Sequence, residues 1–295
     1  MAKTIPSLVR ATANSGIVRS SPDWDAVLGP GWTSRIMDVA VSDRQHVKQG
    51  RSVIRWAVSD SLTVFLKRHF DLPRLTGYLA RLFPRLTWSP GLREWENLRW
   101  AKAAGLPVPR PVAAGEFRGT GGKLRSFLAV EELTGMLALH EAIPEAAGLL
   151  SPGEFTKWKR GLIAELARLC RELHRRRAFH RDLYLCHFFV SEIDLSRVPE
   201  NWSGRVAMID FHRLGKFPLT WPLQQGKDLA QLLFSSTDVR GVMPRDRVRF
   251  WKLYGRGHWG RVTRPPSWLR RYVRMKAARY GRHNAKHDLA VPRKD

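Results

Sequence analysis

The side chains that could carry out a reaction occur in a fixed order along the chain. They are Lys67, Glu94, the His-Arg-Asp triplet at 180–182, His187 and Asp210. Transfer of a phosphoryl group from a nucleotide needs a cation on the phosphates, a carboxylate that positions the attacking hydroxyl, and ligands for Mg²⁺. Each of these residues is a weak signal when it is considered alone. A lysine on a strand, for example, is usually a solvated charge. Their order matches this requirement and predicts phosphoryl transfer.

The first part of the chain is predicted to consist of strands and one helix. Two apolar runs between Ser52 and Arg68 flank a polar segment at 59–61, which is typical of a β-hairpin whose second strand carries Lys67. A helix that carries Glu94 is predicted from 92 to 104, before a glycine and a proline. A strand pair at 112–117 and 126–132 follows.

Helices dominate the rest of the chain. Apolar residues recur at every third or fourth position from 155 to 173, which predicts a long amphipathic helix ahead of the His-Arg-Asp triplet. A strand is predicted to end at Asp210. Three further helices are predicted at 227–235, 244–254 and from 267 to about 282.

This succession predicts an α+β protein with a two-lobed protein-kinase-like fold. The predicted divisions are an irregular N-terminal arm over 1–30, a mainly β N-lobe over 31–133 and a mainly α C-lobe over 134–295 that ends in basic, aromatic-rich helices. Residues 1–30 are assigned to an arm because they are rich in Ser, Pro and Gly and show little periodicity. Residues 72–90 are predicted to be basic and irregular.

Composition narrows the setting in which the protein works. The two cysteines, Cys170 and Cys186, match neither a zinc site nor a secreted disulfide scaffold, which favours a reducing cytoplasm. No export signal is recognisable, and no run of about 18 uncharged apolar residues predicts a membrane span.

The charge indicates an anionic partner. The 295 residues carry a net charge of +25, and residues 240–295 contain 17 Lys and Arg against 3 acidic residues. No nucleic-acid module is recognisable, so nucleic acid is not expected. The basic C-terminal stretch is interpreted either as a solvated helix or as a contact to anionic inner-leaflet lipid.

The motifs resemble those of a known family. FHRDLYLCHFFV at 179–190 and MIDFHRLGK at 208–216, with LKRH upstream and KDLAQLLFS downstream, are similar to the lipopolysaccharide kinase (Kdo/WaaP) family over about 47–254. The resemblance implies a kinase that uses ATP and Mg²⁺ to phosphorylate Kdo or heptose in the lipopolysaccharide inner core. It also implies a peripheral position at the cytoplasmic face of the inner membrane. The sequence does not indicate a protein partner.

The resemblance also implies residue roles. Lys67 contacts the phosphates, Glu94 is its ion-pair partner, and Asp182 is the catalytic carboxylate. Asp210 binds metal, and His187, where ordinary protein kinases carry Asn, either binds metal or orients a water or a phosphate. Each role suits the side chain, because Asp182 needs only to orient a hydroxyl and finally accept its proton.

Further candidates surround these residues. Glu96 is the rival of Glu94, which is favoured for its place in the family pattern and a first-turn position on its helix. ATP is also expected at Gly50, with Arg51 as a weaker candidate, and at the strand exit that contains Glu131 and Leu133.

Three more residues are interpreted as structural support. His180 and Arg181 belong to the scaffold of the triplet. Asp228 is either a solvated residue near a helix N-terminus or, as the resemblance implies, a buried acceptor for the backbone N–H groups of the triplet.

The sequence departs from the protein-kinase pattern in ways that favour a sugar or another small acceptor over a protein. No GxGxxG precedes Lys67, Asp210 begins Asp-Phe-His instead of Asp-Phe-Gly, and only sixteen residues separate Asp210 from Lys227. Two alternatives stay open: a kinase of another small molecule, of the aminoglycoside or choline type, and a non-catalytic protein that binds nucleotide or glycan.

Overall fold

A computed structural model describes residues 8–9, 16–40, 45–48, 50–84, 86–256 and 266–290. They form two compact units, one up to Thr134 and one from Gly135. Strands dominate the first unit and helices the second. The predicted α+β class is therefore confirmed.

The first unit is built around a seven-stranded antiparallel sheet, counted over the described residues. Its elements are β1 (Leu8–Val9), β2 (Gly16–Ser20), α1 (Pro22–Leu28), α2 (Trp32–Arg35), β3 (Gln45–Lys48), β4 (Arg51–Ser59), β5 (Leu62–His69), α3 (Arg74–Leu82), α4 (Pro90–Ala103), β6 (Pro111–Arg118) and β7 (Leu124–Glu131). The strand order is β1-β2-β6-β7-β5-β4-β3.

Strand β5 places Lys67 near its C-terminal end. Lys67 lies opposite Val53 of β4 and Leu128 of β7, so the predicted hairpin is confirmed. Leu62, Val64 and Leu66 are buried on one face of β5. Because side chains alternate along a strand, Lys67 projects from the other face.

The expectation of an irregular arm is wrong for the described residues from 16 onwards. Strand β2 pairs with β6 along its whole length, and Val18 is fully buried. Trp24 of α1 is also fully buried and lies 5.7 Å from the ring of Trp32 and 5.8 Å from that of Trp56. This segment is anchored by a few large buried side chains. A search for regularly spaced apolar residues does not detect such a segment. Residues 1–7 and 10–15 lie outside the described residues.

Residues 74–82, expected to be irregular, form helix α3. Its small residues Gly77 and Ala80 are buried, whereas Leu75 and Leu82 are exposed. The apolar residues do not mark the buried side of the helix, so the usual pattern of an amphipathic helix does not apply.

The second unit contains five helices and five short strands among its described residues. They are β8 (Met136–Ala138), α5 (Leu139–Leu149), α6 (Pro152–Arg175), β9 (Ala178–Phe179), β10 (Phe188–Ser191), β11 (Val206–Met208), β12 (Gly215–Lys216), α7 (Trp221–Ser235), α8 (Pro244–Gly255) and α9 (Ser267–Ala290). Strand β10 pairs with β8 and β11, and β9 pairs with β12.

Helix α6 forms the core of this unit, as its periodicity predicts. It begins with a capping box in which Ser151 and Glu154 bond reciprocally. Trp158, Leu162 and Leu173 are buried along its length. Within the described residues, no helix is long and apolar enough to cross a bilayer.

Candidate active site

Lys67 and Glu94 form a buried ion pair in the first unit. Lys67 Nζ donates to Glu94 Oε1 at 2.7 Å, and little of either side chain is exposed. Breaking such a pair leaves one charge buried without compensation, which is strongly unfavourable. The pair therefore fixes the position of the Lys67 ammonium group.

Glu96, the rival carboxylate, points elsewhere. It accepts hydrogen bonds from Arg19 Nη1 and Thr87 Oγ1, both at 2.8 Å. Helix α4 begins at Pro90 after the N-cap Ser89, so no acidic residue lies in its first turn. The first-turn argument for Glu94 is therefore wrong, although Glu94 is the residue that reaches Lys67.

The other predicted nucleotide contacts in the first unit are Gly50, Glu131 and Leu133. Gly50 lies between β3 and β4 with φ of +73°, and its carbonyl accepts from Phe70 N at 2.8 Å. Glu131 accepts from Arg110 Nε at 2.7 Å. Leu133 follows β7, and its N–H has no hydrogen-bond partner among the described residues. That N–H is available to a ligand.

In the second unit, the fully buried Asp228 holds the triplet in place. Its Oδ2 accepts from His180 N and its Oδ1 from Arg181 N, each at 2.8 Å. Oδ2 also lies 3.2 Å from His174 Nε2. Asp228 is thus the buried acceptor that the resemblance implied, and not a solvated residue at a helix end.

The stretch of α7 that contains Asp228 supplies three more contacts, through two residues that sequence reasoning missed. Gln231 accepts from Leu183 N at 3.0 Å and donates to Arg181 O at 2.9 Å, and Ser235 Oγ accepts from Leu185 N at 2.8 Å. Asp228, Gln231 and Ser235 lie three and four residues apart, so they share one helix face. That spacing was the signal that could have revealed them.

The scaffold histidine His180 is buried beneath this loop. Its Nε2 donates to Ile209 O at 2.9 Å. Burial lowers the pKa of His180, although the carboxylate of Asp228 opposes the shift, so the ring is neutral near pH 7. His180 therefore links the triplet to the segment that ends in Asp210.

Two residues of the site have left-handed backbone conformations. Arg181 has φ of +69° and Asp210 has φ of +65°. Non-glycine residues rarely adopt this region, and holding one there costs about 1–3 kcal/mol. Arg181 donates its backbone N–H to Asp228 and accepts from Gln231 at its carbonyl, and these two hydrogen bonds stabilise its strained conformation.

The carboxylates of Asp182 and Asp210 lie on either side of one imidazole. His212 Nδ1 donates to Asp210 Oδ1 at 2.7 Å, and its Nε2 lies 3.8 Å from Asp182 Oδ2. Arg213 Nη1 donates to Asp182 Oδ1 at 2.9 Å. In the sequence, His212 is only a departure from Asp-Phe-Gly, and neither of its two contacts could be predicted from it.

His187 is oriented by the backbone of the catalytic loop. Its Nδ1 donates to Asp182 O at 2.6 Å, which leaves the lone pair on Nε2, 3.9 Å from Asp210 Oδ2. Burial alone would lower the pKa of His187, but hydrogen bonds with the Cys186 side chain and the Asp182 carbonyl raise it above its ordinary value.

Asp210 and His187 fit a divalent metal with part of its coordination shell. Asp210 Oδ2 lies 3.9 Å from His187 Nε2, while Asp210 Oδ1 accepts from His212. Mg²⁺ usually takes one or two carboxylates together with waters and substrate phosphates. No group of three or more potential ligand residues occurs within the described ranges.

The chain is similar to proteins of a known family. The lipopolysaccharide kinase (Kdo/WaaP) family matches residues 51–254. Lipopolysaccharide core heptose(I) kinase WaaP of Pseudomonas aeruginosa is 30% identical over 244 residues, which cover 82% of this chain and 87% of that protein. WaaP of Escherichia coli K12 is 32% identical over 166 residues, or 55% of this chain and 58% of that protein.

A solved structure shows the same fold. The structure of WaaP in complex with acyl carrier protein matches with a TM-score of 0.65 and 24% identity, over 89% of this chain and 98% of that chain. The predicted protein-kinase-like fold is thereby confirmed. Because the family match and the P. aeruginosa relative both span most of the sequence, the chain belongs to the lipopolysaccharide kinase (Kdo/WaaP) family.

Proposed function

We propose that this chain transfers the γ-phosphoryl group of ATP, with Mg²⁺, to a heptose hydroxyl of the lipopolysaccharide inner core. The sequence left Kdo and heptose open, and the names of the curated relatives favour heptose. One observation carries the proposal: Asp228 fixes the triplet so that the carboxylate of Asp182 lies beside His212, which is bonded to Asp210.

In this proposal Asp182 orients the acceptor hydroxyl and finally takes its proton. Arg213 donates to one of its carboxylate oxygens at 2.9 Å, and the imidazole of His212 lies 3.8 Å from the other. General-base catalysis of this kind needs position more than an unusual pKa. Lys67, held by Glu94, stabilises negative charge on the nucleotide phosphates.

Asp210 and His187 would hold the metal. Bound Mg²⁺ would neutralise phosphate charge. His187 offers the Nε2 lone pair because its Nδ1–H is committed to Asp182 O. We assign the first unit, up to Thr134, to the N-lobe and the second unit, from Gly135, to the C-lobe, with nucleotide contacts at Gly50, Glu131 and Leu133 in the N-lobe.

The test is an acceptor panel. The purified chain is incubated with Mg²⁺, γ-labelled ATP and one acceptor at a time. The acceptors are a heptose-bearing core glycolipid, a glycolipid that carries Kdo alone, an aminoglycoside and choline. Label is expected in the heptose-bearing glycolipid only, and Asp182→Asn is expected to abolish transfer while ATP binding, measured by calorimetry, stays unchanged.

Other outcomes assign the alternatives. Transfer to the glycolipid that carries Kdo alone would replace heptose by Kdo, and transfer to the aminoglycoside or choline would contradict a core-sugar acceptor. ATP binding without transfer to any acceptor would favour a non-catalytic protein. Unchanged activity in Asp182→Asn would refute the assigned catalytic carboxylate.

We also propose that the chain binds acyl carrier protein, although no protein partner was readable from the sequence. The support is the solved relative, which is a complex of WaaP with acyl carrier protein, together with the net charge of +25, which favours acidic partners. Co-elution of the two purified proteins on gel filtration, weakened by salt, is the expected result. Separate elution at low salt would contradict it.

A lipid acceptor places the enzyme at a membrane surface, and we propose the cytoplasmic face of the inner membrane. The positive charge favours anionic headgroups there. Fractionation of cells should recover the chain with inner membranes at low salt. Recovery in the soluble fraction alone would contradict this location.

A further inference from the structure

Helix α3 exposes its large apolar side chains. Leu75 is 69% exposed, Tyr78 48% and Leu82 71%, and they lie three and four residues apart on one face. Phe83 and Leu86, directly after the helix, are 53% and 55% exposed. We call these five residues the α3 surface. A contiguous exposed apolar stripe of this kind marks an interaction site, unlike single exposed leucines.

The helix is held in this orientation by close backbone packing. A Cβ atom on Gly77 would lie 1.9 Å from Gly122 O, so only glycine allows α3 to approach this closely. Gly122 has φ of +73° and lies against the ring of Tyr78. Ala80 is fully buried. The small residues thus face the protein, Leu75 and Leu82 face outward, and the ring of Tyr78 is packed against Gly122 on one side and half exposed.

A basic cavity of about 560 Å³ adjoins the same helix. Its charged lining residues are Arg74, Arg118, Lys123, Arg125 and one acid, Asp71. Arg118 is paired with Glu116, whereas Arg74, Lys123 and Arg125 are exposed. Basic side chains beside exposed apolar residues are the combination that binds the interface of an anionic bilayer.

The basic helix α9 has this combination to a smaller extent. Its apolar residues Leu269 and Val273 are buried, and Tyr280 lies 6.1 Å from the ring of Phe234 on α7, whereas Trp268 and Met275 are 50% and 55% exposed. The rest of the exposed side of the described part of α9 is mainly charged. Because α9 exposes two large apolar residues and the α3 surface exposes five, α3 is the stronger candidate for lipid contact.

We propose that the α3 surface inserts into the interfacial region of an anionic phospholipid bilayer while the adjacent basic cavity holds lipid phosphate groups. Charge complementarity favours this occupant over a second copy of the chain, because a symmetric dimer through α3 would bring Arg74 and Arg81 of both copies together. The inference rests on the proposed function in one respect only, because the proposed glycolipid acceptor lies in a membrane.

The experiment is sedimentation of the full chain with phosphatidylcholine vesicles that contain about one third phosphatidylglycerol. These vesicles contain no acceptor and no nucleotide, so failure of the proposed kinase activity cannot affect the result. We expect Leu82→Ser/Phe83→Ser to lower partitioning at least about tenfold, because two inserted apolar side chains are lost. Arg74→Gln/Arg125→Gln should lower it about fivefold per arginine.

Matched controls lie in the second unit. Leu219→Ser removes a leucine that is 92% exposed, and Arg270→Gln/Arg274→Gln neutralises two arginines of α9. Both controls should partition within about twofold of the wild type. Circular dichroism and ATP binding should be unchanged in every variant, because all the altered side chains are exposed.

Several results would overturn the proposal. They are equal partitioning of the α3 variants and the wild type, loss of partitioning in the α9 variant alone, and equal binding to vesicles without phosphatidylglycerol. If Leu82→Ser/Phe83→Ser abolished binding to acyl carrier protein or dissociated a dimer on gel filtration while vesicle binding persisted, a protein contact would replace the lipid contact.

Discussion

His187 donates its Nδ1–H to the backbone carbonyl oxygen of Asp182 at 2.6 Å. This hydrogen bond fixes the ring orientation and leaves Nε2 as the only lone pair that can face Asp210. The residue that distinguishes this chain from ordinary protein kinases thus joins the backbone of Asp182, the proposed catalytic residue, to the proposed metal site.

The role of His187 can be tested by comparing two substitutions. His187→Ala removes both the donor and the lone pair, so we expect kcat to fall about 10–100-fold and the half-saturating Mg²⁺ concentration to rise. His187→Asn keeps a donor and an oxygen ligand and should retain more activity. The exposed His140→Asn on α5 is the control. A loss of kcat with unchanged Mg²⁺ dependence would indicate that His187 orients a water or a phosphate instead.

Asp228 should be important for both stability and activity. Asp228→Ala leaves the backbone N–H groups of His180 and Arg181 without acceptors, and each such group costs about 1–3 kcal/mol. We expect a drop of several °C in Tm and a large loss of kcat. Asp228→Asn keeps one acceptor oxygen and should be milder. Asp238→Asn, at an exposed position, is the control. An unchanged Tm in Asp228→Ala would contradict the stabilising role of the buried Asp228 carboxylate.

The two glutamates of α4 provide a matched pair. Glu94→Gln removes the charge that holds Lys67, so transfer should fall about 100-fold, with a lower Tm because the Lys67 ammonium stays partly buried. Glu96→Gln removes only contacts of a more exposed carboxylate and should change the transfer rate less than about twofold. Steady-state transfer to the glycolipid measures both. Equal losses would show that the observed pairing does not determine activity.

The ion pair between Asp23 and Arg110 gives a pH-dependent test of the N-terminal segment. The hydrogen bond from Arg110 lowers the pKa of Asp23 from 3.8 to about 2. Because the folded-state pKa is depressed, the contribution to stability is complete above about pH 4 and is lost as the pH falls through 2. The side chain is 46% exposed, so solvent screening limits the contribution to about 1 kcal/mol or less.

We therefore expect Asp23→Asn to lower the free energy of unfolding in urea slightly at pH 7, and to lower it less at pH 3. Asp60→Asn, on the exposed turn between β4 and β5, should show no such difference. A pH-independent effect of Asp23→Asn would mean that its charge does not stabilise α1 against the sheet.

The elements that carry the site could be predicted from the sequence because local patterns determine them. The hairpin that carries Lys67, helices α4 and α6, and the strand before Asp210 follow from alternation, from helical periodicity and from glycine and proline at their ends. Helix α3 could not be predicted this way. Its orientation depends on Gly77 packing against Gly122, a contact between distant residues.

The sequence alone determined the reaction type, since Lys67, Asp182 and Asp210 occur in the order and on the elements that phosphoryl transfer requires. Only the tertiary structure decided which groups surround them. It assigned Glu94 and not Glu96 to Lys67, placed His212 between Asp182 and Asp210, and buried Asp228 beneath the triplet. These contacts join residues on different elements or depend on backbone angles, so spacing along the chain does not determine them.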